Sequence, residues 1–222
     1  MISDNLRNIT QKITRCCERS GRAGDAVKLV CVTKAADIED IQTAILAGVT
    51  DIGENRVQDA VFKHKAIGDK VAWHLIGHLQ TNKAKDAVKI FSLIHSVDSV
   101  RIAEAIDKEA GKIGKVQDVL VQVNTSGEGT KFGVRPEDVD NMLEECALYG
   151  NINIKGFMTI APQTEDPETV RPYFKALREI RDRARVHRGA DYGTLSMGMT
   201  DDFEVAIEEG ATIIRIGRAI FS

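Results

Sequence analysis

The sequence predicts an α/β protein, a single (β/α)8 barrel of the TIM type with an extra N-terminal helix. Short apolar runs alternate with amphipathic segments along the whole chain, as in parallel sheets that helices cover on both sides. The apolar runs number eight and their connections are mostly short, which favours a closed barrel over an open sheet. No linker or low-complexity tract interrupts them, so residues 1–222 are expected to form one domain.

The first half of the chain supplies a leading helix and four strands. Leu6, Ile9 and Ile13 recur at helical spacing, and Gly48 is a common type of C-terminal cap for the next helix. The strands are expected at residues 29–32, 49–55, 71–76 and 91–96, and the helices at 3–20, 38–47, 56–66 and around 100–106.

The second half repeats this alternation. Pro136 stands where proline is favoured, in the first turn of a helix. Because only six residues follow Ile216, we expect the N-terminal helix to fill the place of an eighth barrel helix. The strands are expected at residues 119–123, 152–159, 195–198 and 211–216, and the helices at 136–147, 167–187 and 201–208.

Composition excludes several classes of protein. A net charge of -3 provides no basic surface for nucleic acid. No apolar run approaches the ~20 residues of a membrane-spanning helix, and residues 1–20 lack the apolar region of a signal peptide. The four cysteines have neither CxxC nor metal-ligand spacing and suit a reducing compartment. We therefore expect a cytoplasmic protein that binds neither nucleic acid nor a membrane.

Polar side chains stand at the C-terminal ends of seven predicted strands. In a barrel these ends form one mouth, where the active sites of this fold lie. Any one of these residues fits a loop or capping role, but their coincidence favours a site. They are Lys34, Asn55, His78 with Gln80 and Asn82, Asn124 with Ser126, Thr159, Ser196 and Arg215.

Lys34 and Arg215 are the sharpest candidates. A lone lysine at a strand end is usually solvated, but Lys34 is accompanied by the other polar strand ends. Arg215 lies in the apolar strand Ile213–Ile216, where a buried guanidinium is costly without a partner. It either pairs with a barrel carboxylate or faces an acceptor on a ligand, and we favour the ligand.

Two loops predict a phosphate site. The segment Ser196–Asp202 is a glycine-containing turn that leads into a helix, and amides at a helix start bind anions. Gly217 and Arg218 follow the eighth strand. The loops after the last two strands are the recurrent phosphate-binding location in barrels.

The histidines do not predict a metal site. His74 and His78 straddle a strand end and lack an acidic cluster or an HExxH pattern, so no metal is expected. His78 is expected to order its loop and is kept among the candidate cofactor-binding residues.

A lysine, a phosphate site and an arginine together suit pyridoxal 5′-phosphate (PLP). Lysine amines form Schiff bases with this aldehyde. Lys34 would take the carbonyl, the two loops would anchor the phosphate, and Arg215 would face the ring nitrogen.

At these residues the chain resembles the pyridoxal-phosphate homeostasis protein family, also called the YggS or PROSC type, over essentially its whole length. The segments 73–83 and 196–199 are highly specific in combination. The matching segments are 32–34, 52–55, 73–83, 123–127, 131–133, 156–159, 195–203 and 215–217.

The resemblance implies a barrel similar to the N-terminal domain of alanine racemase, generally monomeric, that binds PLP and delivers it, with apo PLP-dependent enzymes as transient partners. It implies that Lys34 carries the cofactor and that Asn55, Met158 and Arg215 face its ring. With His78 of the matched segment 73–83 added to these positions, the candidate cofactor-binding residues are Lys34, Asn55, His78, Met158, Ser196, Gly198, Met199, Thr200, Arg215, Gly217 and Arg218.

The chain departs from the family pattern at a few positions. Ala35–Asp37 stand where Thr and a later Pro are common, Arg56 where Tyr is common, and Arg218 where a small or hydroxylated residue is frequent. Thr200 replaces a common Ser and keeps the hydroxyl. We expect the other departures to affect access or phosphate affinity and to leave Lys34 in place.

Three functions remain open on the residues alone. The favoured one is a PLP carrier without catalytic turnover, because an arginine beside the ring nitrogen disfavours its protonation and makes the cofactor a poor electron sink. The alternatives are a minimal amino-acid racemase with Lys34 as its base and a Schiff-base barrel aldolase acting on a sugar phosphate. A subsidiary hypothesis is that Lys131 holds a second aldehyde during transfer.

Overall fold

Eight parallel strands close into a barrel in the computed structural model, which describes residues 1–129 and 131–222. Each strand pairs with its neighbours in sequence, and β8 pairs with β1 in the register Val30 to Arg215. This confirms the predicted fold. The strands are β1 (Lys28–Val32), β2 (Asp51–Glu54), β3 (Ala72–Leu75), β4 (Leu93–Val97), β5 (Gln117–Gln122), β6 (Ile152–Met158), β7 (Thr194–Ser196) and β8 (Ile213–Ile216).

In the described part of the chain, α-helices outside the barrel join successive strands, and one further helix precedes β1 and another follows β8. Two were not expected from the sequence, the one that joins β3 to β4 and the single turn after β8. The helices are α1 (Ile2–Arg19), α2 (Ile38–Leu46), α3 (Val57–Ile67), α4 (Ala84–Ile90), α5 (Val100–Gly111), α6 (Val139–Cys146), α7 (Arg171–Arg188), α8 (Phe203–Glu208) and α9 (Arg218–Phe221).

Some predicted strand bounds were wrong at their ends. The fourth strand begins at Leu93 because Phe91 caps α4, its amide donating to the Ala87 carbonyl. The seventh strand ends at Ser196 because the chain leaves the sheet at Gly198, whose φ is 94°. Few L residues adopt that backbone conformation.

Helix α1 packs between α8 and α2 on the outside of the barrel, the position expected for it from the sequence. Its apolar face buries Leu6, Ile9 and Ile13, and it packs against α2, α8 and α9. The side-chain amide of Asn5 donates to the Ile220 carbonyl at 3.1 Å, and this bond ties α1 to α9. Among the described residues, no helix is both long enough and apolar enough to cross a bilayer.

Candidate functional site

Lys34 lies at the mouth of the barrel, two residues beyond the end of β1. Its side chain is exposed, and its amine makes no hydrogen bond or ion pair with the described residues. The preceding residue, Thr33, is fully buried, and its amide donates to the Gly53 carbonyl at 3.0 Å. A fixed backbone therefore holds Lys34, with its unengaged amine, at the rim of the mouth.

A buried ion pair fixes the strand ends behind Lys34. Lys63 of α3 donates to Glu54 Oε1 at 2.8 Å and to the Thr33 carbonyl at 2.6 Å. The Thr33 hydroxyl donates to the same Glu54 oxygen at 2.6 Å. Since Glu54 is fully buried, these bonds lock the ends of β1 and β2 together. Sequence reasoning missed Lys63, although its spacing from Ala60 and Ile67 places it on the inner face of α3.

Asn55 follows β2 and is half-buried against the end of β3. A Cβ atom on Gly77 would lie 2.2 Å from the Asn55 carbonyl oxygen. The backbones of the two strand exits are therefore in close contact, and only glycine fits at residue 77. This contact fixes the backbone of Asn55 at the mouth.

Arg215 points into the barrel from β8 and is 4% exposed. Its guanidinium donates to Ser196 Oγ at 2.6 Å and to the Thr159 carbonyl at 2.9 Å. No carboxylate among the described residues pairs with it, so the salt-bridge alternative is not what the structure shows. Burial lowers the pKa of Arg215 to about 10, partly opposed by the nearby Asp202 carboxylate. The guanidinium retains N–H donors beyond those two bonds.

The loops after β7 and β8 converge at the mouth. The Arg215 amide donates to the Gly198 carbonyl at 3.0 Å, and the Arg218 guanidinium donates to Asp201. Backbone amides in these loops donate to no described residue, as an anion cradle requires. They include the amides of Gly198, Thr200, Gly217 and Arg218.

A neighbouring amide of the loop after β7, that of Met199, already has a partner within the protein. The Met199 amide donates to Asp202 Oδ1 at 2.6 Å, and this bond shapes the turn that enters α8. Burial raises the pKa of Asp202, an effect that the Met199 amide and Arg215 oppose. Met199 is therefore placed beside the cradle as a structural residue, and its contact with phosphate stays a prediction.

The turn at Gly198 leads to a testable prediction. A Cβ there would lie 2.6 Å from the Ala206 Cβ and 3.0 Å from the Phe203 Cα, at a φ of 94°. We expect Gly198→Ala to lower the free energy of unfolding by about 1–3 kcal/mol and to weaken binding of inorganic phosphate. Urea unfolding and phosphate titration measure both. Gly150→Ala, with open space around its Cβ, is the control and should change neither.

Ser196 and Met158 lie deeper than the two loops. Both are fully buried, and Met158 ends β6 next to Ser196 in the sheet register. The Ser196 hydroxyl contacts Arg215 and lies 2.9 Å from His95 Nδ1. Both of these contacts of the hydroxyl lie inside the barrel. His95 was not singled out in the sequence, where it is one residue of an apolar strand.

His78 is exposed and lies apart from the cradle. Its ring stacks on Phe132 with centroids 3.9 Å apart, and its Nδ1 is 3.0 Å from Asp98 Oδ2. It therefore ties the loop after β3 to the loop after β5. Lys131 of the latter loop pairs with Glu128 at 2.9 Å.

The chain matches the family model for the alanine racemase N-terminal domain over residues 5–222. It is 45% identical over 219 residues to the pyridoxal phosphate homeostasis protein of Aquifex aeolicus strain VF5, a match that covers 98% of this chain and 96% of that protein.

Solved structures agree with this match. A protein from Bifidobacterium adolescentis superposes with a TM-score of 0.94 at 36% identity, over 99% of this chain and 94% of that one. PipY of Synechococcus elongatus PCC7942, solved with PLP bound, superposes with a TM-score of 0.88 at 33% identity over 100% of both chains. The chain therefore belongs to the pyridoxal phosphate homeostasis protein family, with the barrel of the alanine racemase N-terminal domain.

Proposed function

We propose that this protein binds PLP as a Schiff base on Lys34 and serves in cellular PLP homeostasis by handing the cofactor to apo-enzymes. The observation that carries the proposal is an unengaged lysine at the same barrel mouth as a cradle of unpaired amides. The relatives' names and the PLP bound to PipY support it.

The residues at the mouth fit this cofactor. The cradle amides suit a dianionic phosphate, and Arg215 has spare N–H donors for the unprotonated ring nitrogen. When bound, PLP supplies an aldehyde that reacts with amines and an aromatic ring that withdraws electrons. Asn55 and Met158 lie at the strand ends where that ring would sit.

We further propose that the protein has no catalytic turnover. A guanidinium at the ring nitrogen opposes protonation of that nitrogen by charge repulsion, which weakens the ring as an electron sink. Racemisation also requires a second acid or base on the far face of the substrate. The three tyrosines pack against the hydrophobic core, so they do not supply one: Tyr149, Tyr173 and Tyr192.

We also propose that the protein is a cytoplasmic monomer that binds apo-enzymes transiently. All four cysteines are free and buried, in keeping with a reducing compartment.

The test is transfer to an apo-enzyme. The PLP-loaded protein is mixed with a PLP-dependent apo-enzyme, and recovered enzyme activity is followed alongside loss of the protein's own imine absorbance. We expect coupled transfer without consumption of amino acids. Exchange of the alpha proton of alanine or serine that disappears in Lys34→Ala would instead establish the racemase alternative.

Arg215→Met separates binding from stability. We expect PLP affinity to fall about tenfold, because a charge-assisted hydrogen bond is lost. The free energy of unfolding should fall by less than about 1 kcal/mol, since an unpaired buried guanidinium itself opposes folding. PLP titration and urea unfolding measure the two effects. Unchanged affinity with a loss above about 3 kcal/mol would make Arg215 a structural residue.

Lys131→Ala tests the transfer hypothesis. If Lys131 holds the aldehyde in passage, the variant should keep the absorbance of the loaded protein and transfer PLP more slowly. Glu128→Ala is the matched variant, because it frees Lys131 from its ion pair and should not slow transfer. A wild-type rate in Lys131→Ala would restrict Lys131 to its loop contact with Glu128.

A further inference from the structure

A chain of buried polar side chains crosses the barrel interior beneath the site. It begins near the N-terminal end of β2, passes through β3, β4 and β7, and ends on β8. None of its members is more than 4% exposed. They are Asp51, His74, His95, Ser196 and Arg215.

Each link of this chain is within hydrogen-bond distance. His74 Nε2 lies 2.8 Å from Asp51 Oδ1, and His74 Nδ1 lies 2.9 Å from His95 Nε2. His95 Nδ1 lies 2.9 Å from Ser196 Oγ, which accepts from Arg215 at 2.6 Å. Asp51 also accepts from the Lys28 amine at 2.8 Å.

With both histidines neutral, these hydrogen bonds run in one direction from Ser196 to Asp51. The Asp51 carboxylate only accepts, so His74 carries a proton on Nε2 and, when neutral, accepts at Nδ1. His95 then donates from Nε2 and accepts at Nδ1. Ser196 directs its hydroxyl proton to His95, which leaves its lone pairs for the Arg215 guanidinium. Every bond is satisfied with both histidines neutral.

The electrostatic environment favours a neutral His95 and an ionised Asp51. Burial lowers the pKa of His95 well below its usual value, and the Arg215 guanidinium lowers it further. Burial alone would raise the pKa of Asp51, but hydrogen bonds from His74, Lys28 and Thr50 hold it well below its usual range. A carboxylate therefore terminates one end and a guanidinium the other.

We propose that His95 and His74 are positioning residues that hold the Ser196 hydroxyl and thereby aim Arg215 at the ring nitrogen of PLP. This inference rests on the proposed function. Within the described part of the chain, two acceptors orient the guanidinium, Ser196 Oγ and the Thr159 carbonyl, and the first is held in place by His95. Ser196 accordingly acts on the cofactor through Arg215.

The first test compares PLP with its 1-deaza analogue, in which carbon replaces the ring nitrogen. The wild type should prefer PLP by about tenfold, since only PLP accepts the Arg215 hydrogen bond. His95→Leu should reduce that preference to about one, with little change in affinity for the analogue. His95→Gln, which supplies both an acceptor and a donor, should restore part of the preference.

The control is Gln117→Met. It removes a buried side-chain amide of β5 that takes no part in the hydrogen bonds from Asp51 to Arg215, and it should keep the preference for PLP over the analogue. Equal weakening of both ligands in a folded His95→Leu would overturn the positioning role. If that variant does not fold, a preference in His95→Gln that is smaller than in the wild type supports the role, and an unchanged preference contradicts it.

The second test needs no cofactor. Nitrogen-15 NMR of histidine-labelled protein should show His95 and His74 each as the neutral tautomer with its proton on Nε2. A proton on Nδ1 of His95 would reverse the direction of the hydrogen bond between His95 and Ser196 and would overturn the inference. Failure of the wild type to bind either PLP or the analogue would refute the proposed function. The histidine tautomers would still show whether the hydrogen bonds from Ser196 to Asp51 run in the inferred direction.

Discussion

Replacing Lys34 with alanine is expected to abolish the covalent PLP adduct and to leave the fold intact. The amine is exposed and bonds to none of the described residues, so its loss should change the free energy of unfolding by less than about 0.5 kcal/mol. The stable conjugated-imine absorbance should disappear, because Lys34 is the residue that we propose carries the cofactor at rest. Weak, non-covalent binding through the phosphate cradle should remain.

Two lysines serve as controls for that result. Lys131→Ala removes a second lysine near the mouth, and Lys65→Ala removes an exposed lysine of α3. Both variants should keep the imine absorbance. Persistence of the imine in Lys34→Ala, or its loss in Lys131→Ala, would move the attachment site away from β1.

Lys63→Met is expected to lower the free energy of unfolding by about 3–5 kcal/mol. The substitution leaves the Glu54 carboxylate fully buried without a counter-ion, and Glu54 Oε2 already has no hydrogen-bond partner among the described residues. It also removes the bond to the Thr33 carbonyl next to Lys34. Urea unfolding measures the loss.

A double substitution separates charge from packing in this pair. Lys63→Met combined with Glu54→Leu removes both charges, and an apolar pair in place of a buried ion pair is often as stable as the original. Most of the stability should therefore return. A single Lys63→Met variant that loses less than about 1 kcal/mol would show that the pair does not stabilise the strand ends.

The barrel and the position of its mouth were predictable because both follow from local patterns. Alternating apolar runs give parallel strands, and parallel strands in a barrel place their C-terminal ends together. Lys34, Gly198, Arg215 and Gly217 could therefore be assigned to one face before any contact was known. The turn at Gly198 ends β7 earlier than the apolar run suggests, because a positive φ takes the chain out of the sheet.

The supporting contacts were not predictable, because they depend on the register of strands distant in sequence. His95 reaches Ser196 across 101 residues, and nothing in the run of β4 distinguishes it from a packing residue. Lys63 reaches Glu54 only because the buried face of α3 packs over the end of β2. His78 was expected to order its loop, and the ring on which it stacks lies on the loop after β5.

The visible absorbance of the purified wild-type protein, followed by borohydride reduction and mass analysis of its peptides, tests the central claim most directly. We predict a conjugated-imine band, and a reduced PLP adduct on the peptide that contains Lys34. A colourless protein that takes up no added PLP, or an adduct confined to another lysine, would contradict the account.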